Sequence, residues 1–432
     1  MGGMITIMRN AFKIPDLRKK LLITLLMLLI FRLGSHIPVP GIDTNALREI
    51  LGVGEAGGEM GVYGFLDLLS GGAFMMATIF AMSIQPYITA SIIMQLLTVA
   101  IPKIEQMAKE GEEGRKKIGQ WIRYSTVVLA FLQATGLYFG LRGAIVDVGV
   151  MSFLVVTLSF TAGTAFLMWL GEQITEHGVG NGISLIIFAG IVSRAPMGIL
   201  ALYELAVNAT NIVFTAITIA AIVLVFVGMI TAVVFVQQAE RKIPVQYAKR
   251  VVGQKMYGGQ KSHIPIKVNL AGVIPIIFAM SFVAFPPTLV GFLAPETTNP
   301  FLLFIRNAQG SIWFVPITAI LVIFFTFFYA FIQFNPVEIA NNLKKNAGYV
   351  PGIRPGKPTS DYIMKVLNRI TWFSAFFLAI VTVFPSLLAT ITGLTGVWFA
   401  GTGLLILVGV ALDTVKQIES QMLMRHYKGF LE

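Results

Sequence analysis

The sequence predicts an all-α polytopic membrane protein, with ten transmembrane helices in two inverted five-helix halves around a central pore. Three observations carry this. Of 432 residues, 56% are hydrophobic and 12% charged, with a mean hydropathy of +0.79, more apolar than a soluble domain. Apolar runs of about twenty residues recur along the chain, each long enough to cross a bilayer core of about 30 Å. The stretch 62–98 is broken by Ser70-Gly71-Gly72 and carries Pro86 near the middle of its long apolar segment. A plain anchor needs neither break. Irregular backbone at membrane depth is tolerated only where protein or a water-filled cavity covers it, and paired interruptions in two halves mark a transport path.

In chain order the predicted spans are 21–37, 74–101, 121–141, 153–171, 183–202, 212–236, 270–293, 312–334, 371–392 and 397–414. The first run lacks a small-residue cleavage site and is followed by many more, so it is read as a retained helix. Five spans fall in 1–207 and five in 208–432. An odd number in each half makes the second enter from the opposite face, so a shared fold requires a two-fold axis in the membrane plane. Pro86 in span 2 and Pro275 in span 7, its counterpart, agree with such a repeat.

Orientation follows from Lys and Arg. With the N-terminus inside, 27 of the 32 basic residues fall on cytoplasmic segments; Arg32, Arg48, Arg142, Arg194 and Arg306 are the others. The positive-inside rule therefore places both termini in the cytoplasm. Much of the +11 net charge sits on inward loops. Two of these, 237–269 and 335–370, exceed thirty residues and interleave aromatics with basic groups. Short basic loops fix topology and meet anionic lipid; loops of this length also suit a large anionic or protein partner. Within 335–370, Gly and Pro in GIRPG favour a fixed turn presenting Arg354 outward.

Absences narrow the function. The chain has no cysteine, which removes disulfides and thiolate metal sites. HExxH, GxSxG and P-loop signatures are missing, so no enzyme chemistry, cofactor or metal is expected. HGVGNG (177–182) follows no strand and lacks a Lys partner; it is read as a tight cytoplasmic turn. The inner parts of the spans hold almost no ionisable residues, whereas ion-coupled transporters need them. Aliphatic pairs four apart remain: Ile84 with Ile88, and Ile183 with Ile187. Each pair shares one helix face. Such pairs also pack or face lipid, and Gln95 and Asn269 also suit interhelical hydrogen bonding.

Taken together, FRLGSHIPVPGID (31–43), TIFAMSIQPYITASIIMQLL (78–97), LMWLGEQITEHGVGNGISLIIFAGIV (167–192), NLAGVIPIIFA (269–279) and FNPVEIANNLKKNAGYVPGIRPGKPT (334–359) resemble the SecY/Sec61-alpha family, whose bacterial members form the channel of the Sec protein translocase. The resemblance runs through essentially the whole chain. It implies an hourglass pore that conducts unfolded polypeptide across the plasma membrane and releases hydrophobic segments sideways into lipid. By motif position, Ile84, Ile88, Ile183, Ile187, Ile277 and Ile406 would form a constriction ring. Ile183 fits that ring only if the HGVGNG turn dips into the pore. The piece before Ser70 (about 62–72, with Tyr63, Phe65, Leu66, Asp67, Leu68 and Leu69) would be a plug; an interfacial amphipathic helix is the plainer alternative. Spans 2 and 3 against 7 and 8 would form a lateral gate, with Gln95 and Asn269 near its seam. Lys249, Arg250 and Arg354 would lie on loops that receive the ribosome or the motor ATPase SecA. SecE and SecG subunits, signal peptides, nascent chains and membrane lipid are the further partners implied. A small-solute transporter would instead need a buried polar or charged site; a scaffold would need no narrow apolar face.

Overall fold

Pro15 opens a 20-residue helix, at a position where its missing N–H breaks no helical bond. The computed structural model describes residues 9, 11–50, 67, 69–207, 212–247, 250–252, 255–257, 261–293, 299–306, 314–392 and 402–428. In the first half these form α1 (Pro15–Gly34), α2 (Thr44–Ile50), α3 (Gln85–Ala100), α4 (Pro102–Lys109), α5 (Glu112–Gly140), α6 (Val150–His177), α7 (Gly182–Ser193) and α8 (Ala195–Val207). The second half begins with α9 (Ile212–Gln238) and strands β1 (Glu240–Tyr247), β2 (Arg250–Val252), β3 (Lys255–Tyr257) and β4 (Lys261–Lys267). It continues with α10 (Ile274–Leu293), α11 (Pro300–Arg306), α12 (Phe314–Gln333), α13 (Pro336–Lys345), β5 (Gly348–Tyr349), α14 (Lys357–Thr392) and α15 (Thr402–Lys428).

A helix occupies at least part of each predicted span. Among the described residues, four stretches are long and apolar enough to cross a membrane by themselves: Val150–His177, Thr215–Gln238, Val315–Lys345 and Lys357–Phe384. The pair Gln85–Ala100 and Pro102–Lys109, bent by 102°, makes a fifth if taken as one span. Elsewhere the predicted spans fall on shorter helices, such as the 12-residue α7, or on helices with charged first turns, such as α1 and α5.

Span 2 departs from the sequence expectation. Residues 71–84 are a run of turns, and the helix starts only at Gln85. Pro86 therefore lies in the first turn of α3, not mid-helix. Hydropathy cannot see this, because an irregular apolar segment scores like a helix. The backbone of 71–84 finds partners elsewhere, as it must away from water. Ala77 O accepts from Val39 N–H (2.9 Å), and Ile37 O accepts from Ile79 N–H (3.0 Å). α6 comes so close that a Cβ on Gly163 would meet Ile79 O at 1.8 Å. Span 5 also breaks, at Arg194 between α7 and α8.

The long loop 237–269, which carried no predicted structure, folds into strands. β1 pairs antiparallel with β4 from Glu240↔Lys267 to Gln246↔Lys261, and β5 adds to its other edge. Ile243 and Val245 alternate inward on β1 and Ile266 faces them from β4. Ile243 and Ile266 bury against Val350, Ile363 and Leu367. That period-two pattern was the available signal.

Candidate functional site: an aliphatic constriction and a plug seat

The suspected ring residues lie on elements that converge. Ile84 caps the start of α3 and its carbonyl accepts from Ile88 N–H (3.0 Å), which stacks the two on one side. Ile183 and Ile187 lie on α7 and Ile406 on α15. All five belong to one apolar cluster, with Ile84, Ile187 and Ile406 buried and Ile88 and Ile183 partly so. Ile406 and Val273 bring the second half into contact with the first there. Ile277, the sixth, is 7% exposed, but its neighbours Ile276 and Phe278 join a separate cluster with α12 and α14. Val273, one turn earlier, is its link to the ring, and accepts from Ile277 N–H (3.3 Å).

The HGVGNG turn is what brings Ile183 against this cluster. Residues 178–181 reverse the chain between α6 and α7. Asn181 caps α7 by accepting from Ser184 N–H (3.1 Å). A Cβ on Gly182 would strike Gly171 O at 1.9 Å. Only glycine lets α7 start against α6, and Ile183 is drawn in with it. Val179 N–H donates to Thr24 Oγ1 (3.0 Å), tying the turn to α1.

The gate residues separate. Gln95 is exposed on α3. Asn269 is buried and serves its own half, with Nδ2 donating to Gly272 O (3.2 Å) and Oδ1 accepting from Ser374 Oγ (3.2 Å). A bond that joins the two halves was missed: Gln85 Nε2 donates to Ser281 Oγ (3.0 Å), from α3 to α10. Gln85 was inconspicuous because its place at a helix start was hidden inside an assumed longer helix.

Of the plug residues, Tyr63, Phe65, Leu66 and Leu68 lie outside the described residues. Asp67 and Leu69 are helical and fully or almost fully buried. Asp67 Oδ1 accepts from Met75 N–H (2.9 Å), and its other oxygen pairs with the Arg194 guanidinium. A buried ion pair thus stands where the sequence suggested almost no charge. It escaped notice because its halves are 127 positions apart and each sits at an element's edge.

On the polar loops, Lys249 lies outside the described residues, and Arg250 sits on β2 opposite Tyr257. Arg354 is exposed in the turn 351–356, where Gly352 (φ 80°) and Gly356 (φ 97°) adopt left-handed backbone.

Helices broken around a shared aliphatic centre define a multi-pass membrane protein of the interrupted-helix type. Residues 78–415 match the SecY family model. The chain is 48% identical to the protein translocase subunit SecY of Halalkalibacterium halodurans, over 98% of this chain and 99% of that one. It is 46% identical to that of Bacillus subtilis (98% of each) and 44% identical to that of Thermotoga maritima (98% and 97%). The chain belongs to the SecY family. Among solved structures it is similar to a protein-conducting channel (TM-score 0.63, 21% identity, 94% of this chain and 92% of that one). It is also similar to Sec61 in a canine ribosome–channel complex (TM-score 0.60, 20% identity, 94% and 92%). Those likenesses establish the fold.

Proposed function

We propose that the isoleucine cluster is the closed constriction of a protein-conducting channel. As a SecY-family chain, the protein is the channel subunit of a protein translocase and not an enzyme. It passes unfolded polypeptide across the membrane and releases hydrophobic segments into the bilayer. The observation that carries the constriction is the convergence of Ile84, Ile88, Ile183, Ile187 and Ile406, from both halves, on one buried apolar centre. A narrow aliphatic passage excludes water and so blocks ions by dewetting, without binding them. Such side chains also offer no hydrogen bonds to retain a passing chain.

In this reading ten helices cross the plasma membrane as two inverted five-helix halves, 1–207 and 208–432, with both termini cytoplasmic. Pro86 and Pro275 support the repeat: each sits in the first turn of its helix, after a run of turns. Residues 62–72 form the plug over the constriction. Spans 2 and 3 part from 7 and 8 to let a nascent helix sample lipid, which favours about twenty apolar residues. The basic strands β1–β4 and the exposed turn at Arg354 receive a ribosome or SecA; SecE and SecG complete the complex.

Replacing Ile84, Ile88, Ile183, Ile187 and Ile406 with Ser in the reconstituted complex is expected to make resting bilayers conduct ions. Conductance equal to the parent channel would remove the constriction from this cluster.

A further inference from the structure

Two Arg residues and one Asp meet where the plug base touches the break in span 5. The Asp67 carboxylate has no exposed surface, and the Arg194 side chain keeps 15% of its own. Arg194 sits between α7 and α8, so its backbone is fixed by Ile191 O, which accepts its N–H (3.1 Å). Beside it, Arg32 at the end of α1 donates from Nη1 to Gly71 O (3.0 Å) and to Ser193 Oγ (3.2 Å). Ser193 Oγ in turn donates to Gly190 O (2.7 Å).

The backbones here touch. A Cβ on Gly71 would lie 2.9 Å from Gly190 Cα, and one on Gly190 would lie 2.7 Å from Leu69 O. Gly71 is also left-handed, with φ +68°. The plug base is therefore seated on α7 by shape and then held by charge. The partners of the ion pair lie on two elements that must separate if the plug moves. Burying a carboxylate is unfavourable unless it is paired and hydrogen-bonded, and Asp67 has both partners only in the seated position.

We propose that Asp67 and Arg194, backed by Arg32, form a latch that holds the plug on span 5 in the resting channel and sets how readily it leaves. This rests on reading 62–72 as the plug. An ion pair suits a reversible catch better than an apolar contact. Once parted in a hydrated funnel, both ions regain water, so the open state is not penalised as exposed hydrocarbon would be. Removing one partner alone has the opposite consequence, because the remaining charge stays buried only while the plug is seated.

The test measures resting ion conductance of the complex in planar bilayers. Arg194→Met strands Asp67 without a counter-charge and should raise the open fraction about tenfold or more. Asp67→Asn keeps an acceptor for Met75 N–H and leaves Arg194 able to turn to water, so its rise should be smaller. The double variant Asp67→Asn with Arg194→Met strands no charge and should leak less than Arg194→Met alone, the mark of a coupled pair. Parent-like conductance in all three, or single effects that simply multiply, overturns the latch. Deleting 62–69 separates the two ideas. A leaky deletion beside silent latch variants leaves the plug standing and the latch refuted, whereas a tight deletion refutes both. Thermal unfolding of Asp67→Asn, the near-isosteric change, confirms that conductance is read on folded protein.

Discussion

The two helices that carry Pro86 and Pro275 in their first turns solve one problem in different ways. Ahead of α3, fourteen residues (71–84) run as turns and lean on three other parts of the first half: the strand-like segment 37–39, the α6 face at Gly163, and the Arg32–Ser193 group. Ahead of α10 the irregular stretch is only 268–273, and Asn269 holds it by bridging Gly272 to Ser374 of α14. The long break is held by contacts to several elements. The short break needs one buried amide.

Substitutions can break or sharpen that contrast. The largest loss is expected for Gly163→Ala, whose methyl would fall 1.8 Å from Ile79 O. Because the obstacle is backbone, 71–84 must shift, at about 1–3 kcal/mol or more, read as a lower unfolding temperature in detergent. Asn269→Ala should follow at about 1–3 kcal/mol, since it strands the buried Ser374 hydroxyl and the Gly272 carbonyl. An equal loss in Ser374→Ala and no further loss in the double variant would show that one bridge holds the short break. Gly272→Ala meets open space but keeps φ +63°, so it should cost about 1 kcal/mol from left-handed backbone alone. The smallest change belongs to Gln85→Leu. It removes the bond to Ser281 (3.0 Å) but also a buried carbonyl oxygen that lacks a partner, so stability should move by less than about 1 kcal/mol. Faster cross-linking of a stalled secretory chain to lipid in that variant would show that this bond holds the halves together.

Particular residues show how far sequence reading reaches. The i, i+4 pairs at Ile84/Ile88 and Ile183/Ile187 were legible because helical period fixes a shared face. Arg354 was legible because Gly and Pro fix a turn locally. By contrast Ile277 is buried outside the ring cluster, between neighbours Ile276 and Phe278 that pack with α12 and α14, and Gln95 is exposed. Neither fact is local. Asp67–Arg194 and Gln85–Ser281 join residues 127 and 196 positions apart, and no periodicity announces such pairs.

By itself the sequence determined which stretches are apolar enough for lipid and where charge collects, because partitioning depends on composition and period. Tertiary structure alone decided where helices stop inside apolar runs, which glycines permit backbones to touch, and which distant charges meet. Those outcomes depend on satisfying every buried N–H, carbonyl and ion at once, a condition set in space and not along the chain.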